Sequence, residues 1–167
     1  MPTNLQRRNC ELADLARHYI RLEKLAQAAG KQACTSACSQ CRKVCCREIF
    51  CHESRDSAWL VLVRQQSESA ALRYDTRKGW LAKNGCRLSA GRPPVCYEFF
   101  CSALLANPTN AAIPRARTLA KILSGVGARI HGGQHLVTLD AENLRLERVR
   151  LRLAAQLSAA LAKAQNV

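Results

Sequence analysis

Cys34-Thr-Ser-Ala-Cys38-Ser-Gln-Cys41-Arg-Lys-Val-Cys45-Cys46-Arg-Glu-Ile-Phe-Cys51 carries six of the ten cysteines of this 167-residue chain. Cys86, Cys96 and Cys101 follow, and Cys10 stands apart. Thiols at this density are disulfides, metal ligands or an oxidation hazard. The choice decides the fold: a disulfide scaffold, or a helical domain stapled by metal. The compartment makes the choice. Met1-Pro-Thr-Asn-Leu-Gln-Arg-Arg has no apolar core and no small-residue cleavage site, so it does not read as a secretory signal. No stretch approaches the roughly 18 apolar residues that cross a bilayer. The longest apolar run is Ala58-Trp-Leu-Val-Leu-Val63. The expectation is a cytoplasmic protein without a membrane span, in which thiols stay reduced and clustered cysteines serve as metal ligands.

Cys34, Cys38, Cys41 and Cys45 are four, three and four residues apart. On a helix they share one face, and in a loop the same spacing wraps a single ion. Structural zinc takes four Cys or His ligands, commonly from two short-spaced pairs. Cys38 and Cys41 make one such pair. The second comes from Cys45 or Cys46 with Cys51, or from Cys96 with Cys101. A [4Fe–4S] cluster also takes four thiolates, often three close together and one remote. The sequence satisfies both patterns and leaves zinc and an iron–sulfur cluster open. Cys34, Cys38 and Cys41 also have the spacing of radical S-adenosylmethionine enzymes, but those place it after the first strand of a large α/β barrel, and here a helix precedes it. A nucleophilic cysteine needs an adjacent base, and no position singles one out. His52 beside Cys51 is a candidate ligand. His131 and His135 flank a Gly-Gly turn, and His18 reads as a helix-surface residue.

The flanks read as helix. Leu12, Leu15, Tyr19, Leu22, Ala26 and Ala29 are spaced three and four apart, which predicts an amphipathic helix over 10–30 with Arg17, Arg21, Glu23 and Lys24 off the stripe and Gly30 as its stop. Ser54 or Asp56 caps a helix to about residue 72, and the basic stretch 76–85 reads as a loop. Pro93-Pro94 makes a stiff turn that delivers Cys96, with a short helix from Tyr97 and Phe99 or Phe100 turned inward. Pro114 opens a helix to about Ile130. Asp140 caps a final helix of about 24 residues, whose first half carries Arg145, Arg148, Arg150 and Arg152. The chain has 26 Lys and Arg against 12 Asp and Glu, a formal charge of +14. Eight thiolates around two zinc ions would lower this only to about +10. The remaining surplus points to an anionic partner, nucleic acid, an anionic membrane surface or an acidic protein, and the arginines of the last helix are the candidate phosphate contacts.

Cys38, Cys41, Cys45 and Cys46, followed by Gly85-Cys86-Arg-Leu-Ser, Arg92-Pro93, Cys96 and Cys101, resemble the YkgJ-type cysteine-cluster family over about residues 34–101. That family is described as zinc- or iron-chelating, with about eight cysteines, so the resemblance implies metal chelation. The chain departs from the pattern in two places. No cysteine stands near Lys78–Leu81, where Cys51 is the substitute, and Tyr97 follows Cys96 where an arginine is common. A related domain occurs in flagellin lysine methylases, which makes iron–sulfur-dependent redox or methyl-transfer chemistry an alternative.

The expectation is a mostly α, single-domain protein (1–167): an N-terminal helix over 10–30, a metal-stapled cysteine-rich loop region over 34–101 and C-terminal helices over 110–167. The metal ligands are Cys38, Cys41, Cys45, Cys46, Cys86, Cys96 and Cys101, with Cys34 and Cys51 in reserve. No catalytic set is apparent, and a binding role is favoured over an enzyme.

Overall fold

Helix α1 (Asn4–Cys38) is the axis of the computed structural model, which describes residues 4–38, 46–83, 85–106 and 110–167. Its predicted stripe is buried from Leu12 to Ala29, and Ala16, Ile20, Glu23 and Ala33 join it. Two corrections follow. Gly30 does not stop the helix, which runs eight residues further to Cys38. Glycine in a helix costs about 1 kcal/mol against alanine, and the burial of Ala29 and Ala33 on either side outweighs that. Glu23 is not off the stripe but fully buried.

Helices α2 (Glu48–Asp56) and α3 (Ala58–Gln65) follow, separated by Ser57, whose side chain caps α3 by accepting from Leu60 N. The cap is therefore neither Ser54 nor Asp56. The helix does not reach residue 72, because Ser67 closes it: its hydroxyl donates to Arg64 O and accepts from Ser69 N, starting a 3-10 turn over Glu68–Ala71. Within 76–85 the chain forms a small antiparallel hairpin, β1 (Leu81–Ala82) against β2 (Gly85–Cys86), with Leu81 opposite Cys86. The diproline turn leads into α4 (Val95–Glu98), which begins before Tyr97. Phe99 is half exposed, while Phe100 packs against the core. After α5 (Ser102–Leu105), α6 (Ala112–Gly125) ends short of Ile130. The chain must turn at Gly127 (φ +82°), where a Cβ would lie 2.2 Å from that of Leu136.

Asp140 accepts from Asn143 N as predicted, but it caps only α7 (Ala141–Leu144). The last helix, α8 (Glu147–Gln165), starts afresh after an extended Leu146. Leu144 and Leu146 both meet the core. Two residues apart on one helix they would point to opposite sides, so the break allows both to pack.

Helix α1 lies against α6, α8 and α3 around one large core centred on Tyr19, Leu22, Trp59, Leu123 and Leu153. A smaller core of Cys51, Trp80 and Leu88, flanked by Leu72, Tyr74, Leu81 and Cys86, sits beside it. Helix makes up 67% of the molecule and, among the described residues, strand is confined to one pair of two-residue strands, so the chain is a small, mostly α domain. Among the described residues no helix is long and apolar enough to cross a membrane.

Candidate functional site

Glu23, on the inner face of α1, anchors the loop that carries the later cysteines. Its Oε2 accepts from Gly91 N and its Oε1 from Arg92 N, both at 3.0 Å, and Tyr97 Oη donates to Oε1 at 2.6 Å. Gln27, one turn on, donates to Tyr97 Oη (3.0 Å) and to Ser89 O (2.7 Å). From the opposite side Ser54 Oγ donates to Gly91 O at 2.6 Å. Gly91 is in the left-handed region (φ +80°), and a Cβ there would lie 2.8 Å from Leu60 O. Only glycine lets the loop lie this close to α3. Burial pushes the Glu23 carboxyl above its ordinary pKa, and its hydrogen bonds and Arg92 only partly offset this.

So held, the loop brings Cys86 (β2) and Cys96 (α4) to a cavity of about 160 Å3 that Cys46 and Cys51 also line, with Arg92, Trp80 and Phe50 among its walls. Four cysteines from three stretches of the chain thus line one cavity. Cys51 is buried in the small core. Gly79 (φ +59°) passes so close that a Cβ would lie 2.8 Å from its sulfur, and Trp80 N donates to that sulfur at 3.4 Å. Backbone donors to sulfur are what metal-bound thiolates and iron–sulfur centres use. Burial pushes the Cys86 thiol up, against the pull of Arg92 and of a backbone hydrogen bond from Leu88. Cys96 is open to solvent on one side. The protein around the other side, with Cys86, Cys46 and Cys51 near it, pushes its thiol to about 12 despite Arg92. Arg92 is fixed by donating from Nε to Leu88 O at 3.0 Å, and Nη2 also bonds Leu88 O. Its own burial opposes its charge, but Tyr97, Cys86, Glu23 and Cys96 around it raise its pKa.

Of the nine predicted ligands, the structure brings Cys46, Cys51, Cys86 and Cys96 to one cavity. Cys34 and Cys101 pack against the large core instead. Cys41 and Cys45 lie outside the described residues. Cys38 ends α1, and its side chain is outside the description. Cys10, Cys46, Cys51, Cys86, Cys96 and Cys101 are free thiols. Among the described residues no three His, Cys, Asp or Glu side chains stand as a ready metal-binding group. His52 is exposed and meets the Tyr74 ring at 6.2 Å rather than the cavity. His135 holds its own turn: Nδ1 accepts from Val137 N at 3.2 Å and Nε2 lies 3.1 Å from Ser124 O.

Arg92, Glu23 and Gln27 are the residues that sequence reading missed. Glu23 stands four residues after Tyr19 and three before Ala26, so helical spacing alone placed a carboxylate on an apolar face. Family models, curated proteins and solved structures yield no match to this chain.

Proposed function

We propose that the protein binds a thiophilic metal, zinc or an iron–sulfur cluster, through Cys46, Cys51, Cys86 and Cys96, with Cys38, Cys41 and Cys45 of the same cysteine run as further ligands. The observation that supports this reading is that four cysteines line one small cavity. The donor set fits: soft sulfur ligands select zinc and iron–sulfur centres, and the Arg92 guanidinium would offset part of the thiolates' negative charge. When bound, the metal would crosslink α2, the hairpin and α4. Coordination removes the thiol protons. Because burial holds the Cys86 and Cys96 thiols in their protonated form to high pH, metal affinity rises with pH as fewer protons must be displaced.

Elemental analysis and a visible spectrum of protein purified without oxygen test the reading. Near-stoichiometric zinc in a colourless protein, or iron with matching sulfide in a brown one, is expected, with metal content lost in a Cys86→Ser, Cys96→Ser double variant. Protein free of both metals that takes up neither on reconstitution would refute it.

A further inference from the structure

One stretch of this chain carries a local surplus of positive charge. Between residues 73 and 87 stand Arg73, Arg77, Lys78, Lys83 and Arg87 against a single carboxylate, Asp75. All five cations are exposed. The Asp75 carboxylate is occupied, with Oδ1 accepting from Arg77 N at 2.7 Å and Lys78 N at 2.9 Å. The ion pairs among the described residues are Arg17–Asp14, Arg55–Asp56 and Arg150–Glu11. None of the five hairpin cations takes part in one. Four of them, Arg77, Lys78, Lys83 and Arg87, line one groove, with Glu48 and Asp75 as its only acidic groups.

The segment that carries them is pinned. Asp75 and Gly79 exchange backbone hydrogen bonds of 3.1 and 2.8 Å, and Arg87 N donates to Trp80 O at 2.9 Å. Tyr74 and Trp80 turn inward onto each other, edge to face at 5.1 Å, and Trp80 is buried. The last helix presents only half of its predicted basic set. Arg150 is buried with its Nε on Glu11 at 2.7 Å, Arg145 donates to Ala141 O, and only Arg148 and Arg152 remain exposed.

We propose that the hairpin segment 73–87 binds the phosphate backbone of nucleic acid. A protein partner needs apolar anchors at the centre of its interface, and none of the exposed large apolar residues falls between 73 and 87. A phosphodiester chain needs only cations spaced along it. With both aromatics of the segment turned into the small core, no platform is left for base stacking, so the contact is to backbone and independent of sequence. The inference stands on charge and geometry and does not depend on a metal in the thiol cavity.

Fluorescence anisotropy of the purified chain with labelled mixed-sequence oligonucleotides, single-stranded and duplex, tests it. Binding to either form is expected, with affinity falling log-linearly with salt. Lys78→Gln with Lys83→Gln is expected to weaken binding about tenfold at low salt and to reduce the salt slope by about 2. Arg77→Gln with Lys78→Gln serves as an independent second pair and is expected to do the same. Arg148→Gln with Arg152→Gln is expected to leave both quantities unchanged. The proposal is overturned by absence of binding at low salt, by an equal loss in the last-helix variant, or by polyglutamate competing as well as the oligonucleotide at equal charge. The last result would assign the surface to an acidic protein.

Discussion

Glu23 ties α1 to Gly91 and Arg92 of the loop and to Tyr97. It satisfies two backbone N–H groups of a loop about seventy residues away and the hydroxyl of Tyr97. Glu23→Gln keeps the volume but replaces one acceptor oxygen with a donor, leaving a buried donor facing a donor. A loss of about 1–3 kcal/mol in urea unfolding is expected. Tyr97→Phe removes two bonds, the one donated to Glu23 and the one accepted from Gln27, and is expected to cost about 1–3 kcal/mol. The titration of Glu23 has a definite sign. Its folded pKa is raised by burial above the ordinary value of 4.5, so between the two values the folded protein holds the extra proton. Its contribution to stability is full below the unfolded pKa and is lost as pH rises through the folded one. Urea stability is expected to decline with pH across that window in the wild type and to lose this component in Glu23→Gln. Its spacing from Tyr19 and Ala26 carried the signal, yet the stripe drawn through the apolar residues set Glu23 outside it. Its partners were not legible, because no local pattern links residue 23 to residues 91, 92 and 97.

Helical periodicity announced the inner faces of α1, α6 and α8, since each carries a stripe that has to be covered. Boundaries were less legible, because they answer to neighbours distant in sequence. Gly30 reads as a stop, yet the helix continues through it because Ala33 has a place in the core. The break before α8 carries no proline or glycine to announce it and exists so that Leu144 and Leu146 can both pack. Nothing lies within 4 Å of a Cβ built on Gly30, whose φ is not in the left-handed region. Gly30→Ala is therefore expected to stabilise the protein by up to about 1 kcal/mol, raising Tm by up to about 2–4 °C in a thermal melt.

The molecule has two cores of unequal size. The large one is built from helices and owes nothing to the thiol cavity; the small one contains Cys51 and borders Cys86. Removing the metal proposed for the cavity is accordingly expected to loosen only the small core. Trp80 fluorescence and hydrogen-exchange protection of residues 72–88 should change while helical circular dichroism persists. A single cooperative loss of both would mean that the cores are not separable. Total charge was plain in the composition, but its distribution was not, because only packing reveals that Arg150 is spent on Glu11 while the hairpin cations stay outside the ion pairs, Arg87 bonding only the backbone at Arg73 O. The pairing of α1 with α8, across 139 residues at Glu11 and Arg150, also has a bearing on biosynthesis. On the ribosome α1 emerges well before the helix that covers its N-terminal half. The part of its apolar stripe that α8 covers must wait, shielded by chaperones or by transient contacts, until α8 has been made. A nascent chain arrested before Glu147 is expected to stay protease-sensitive, however many of its cysteines have already been made.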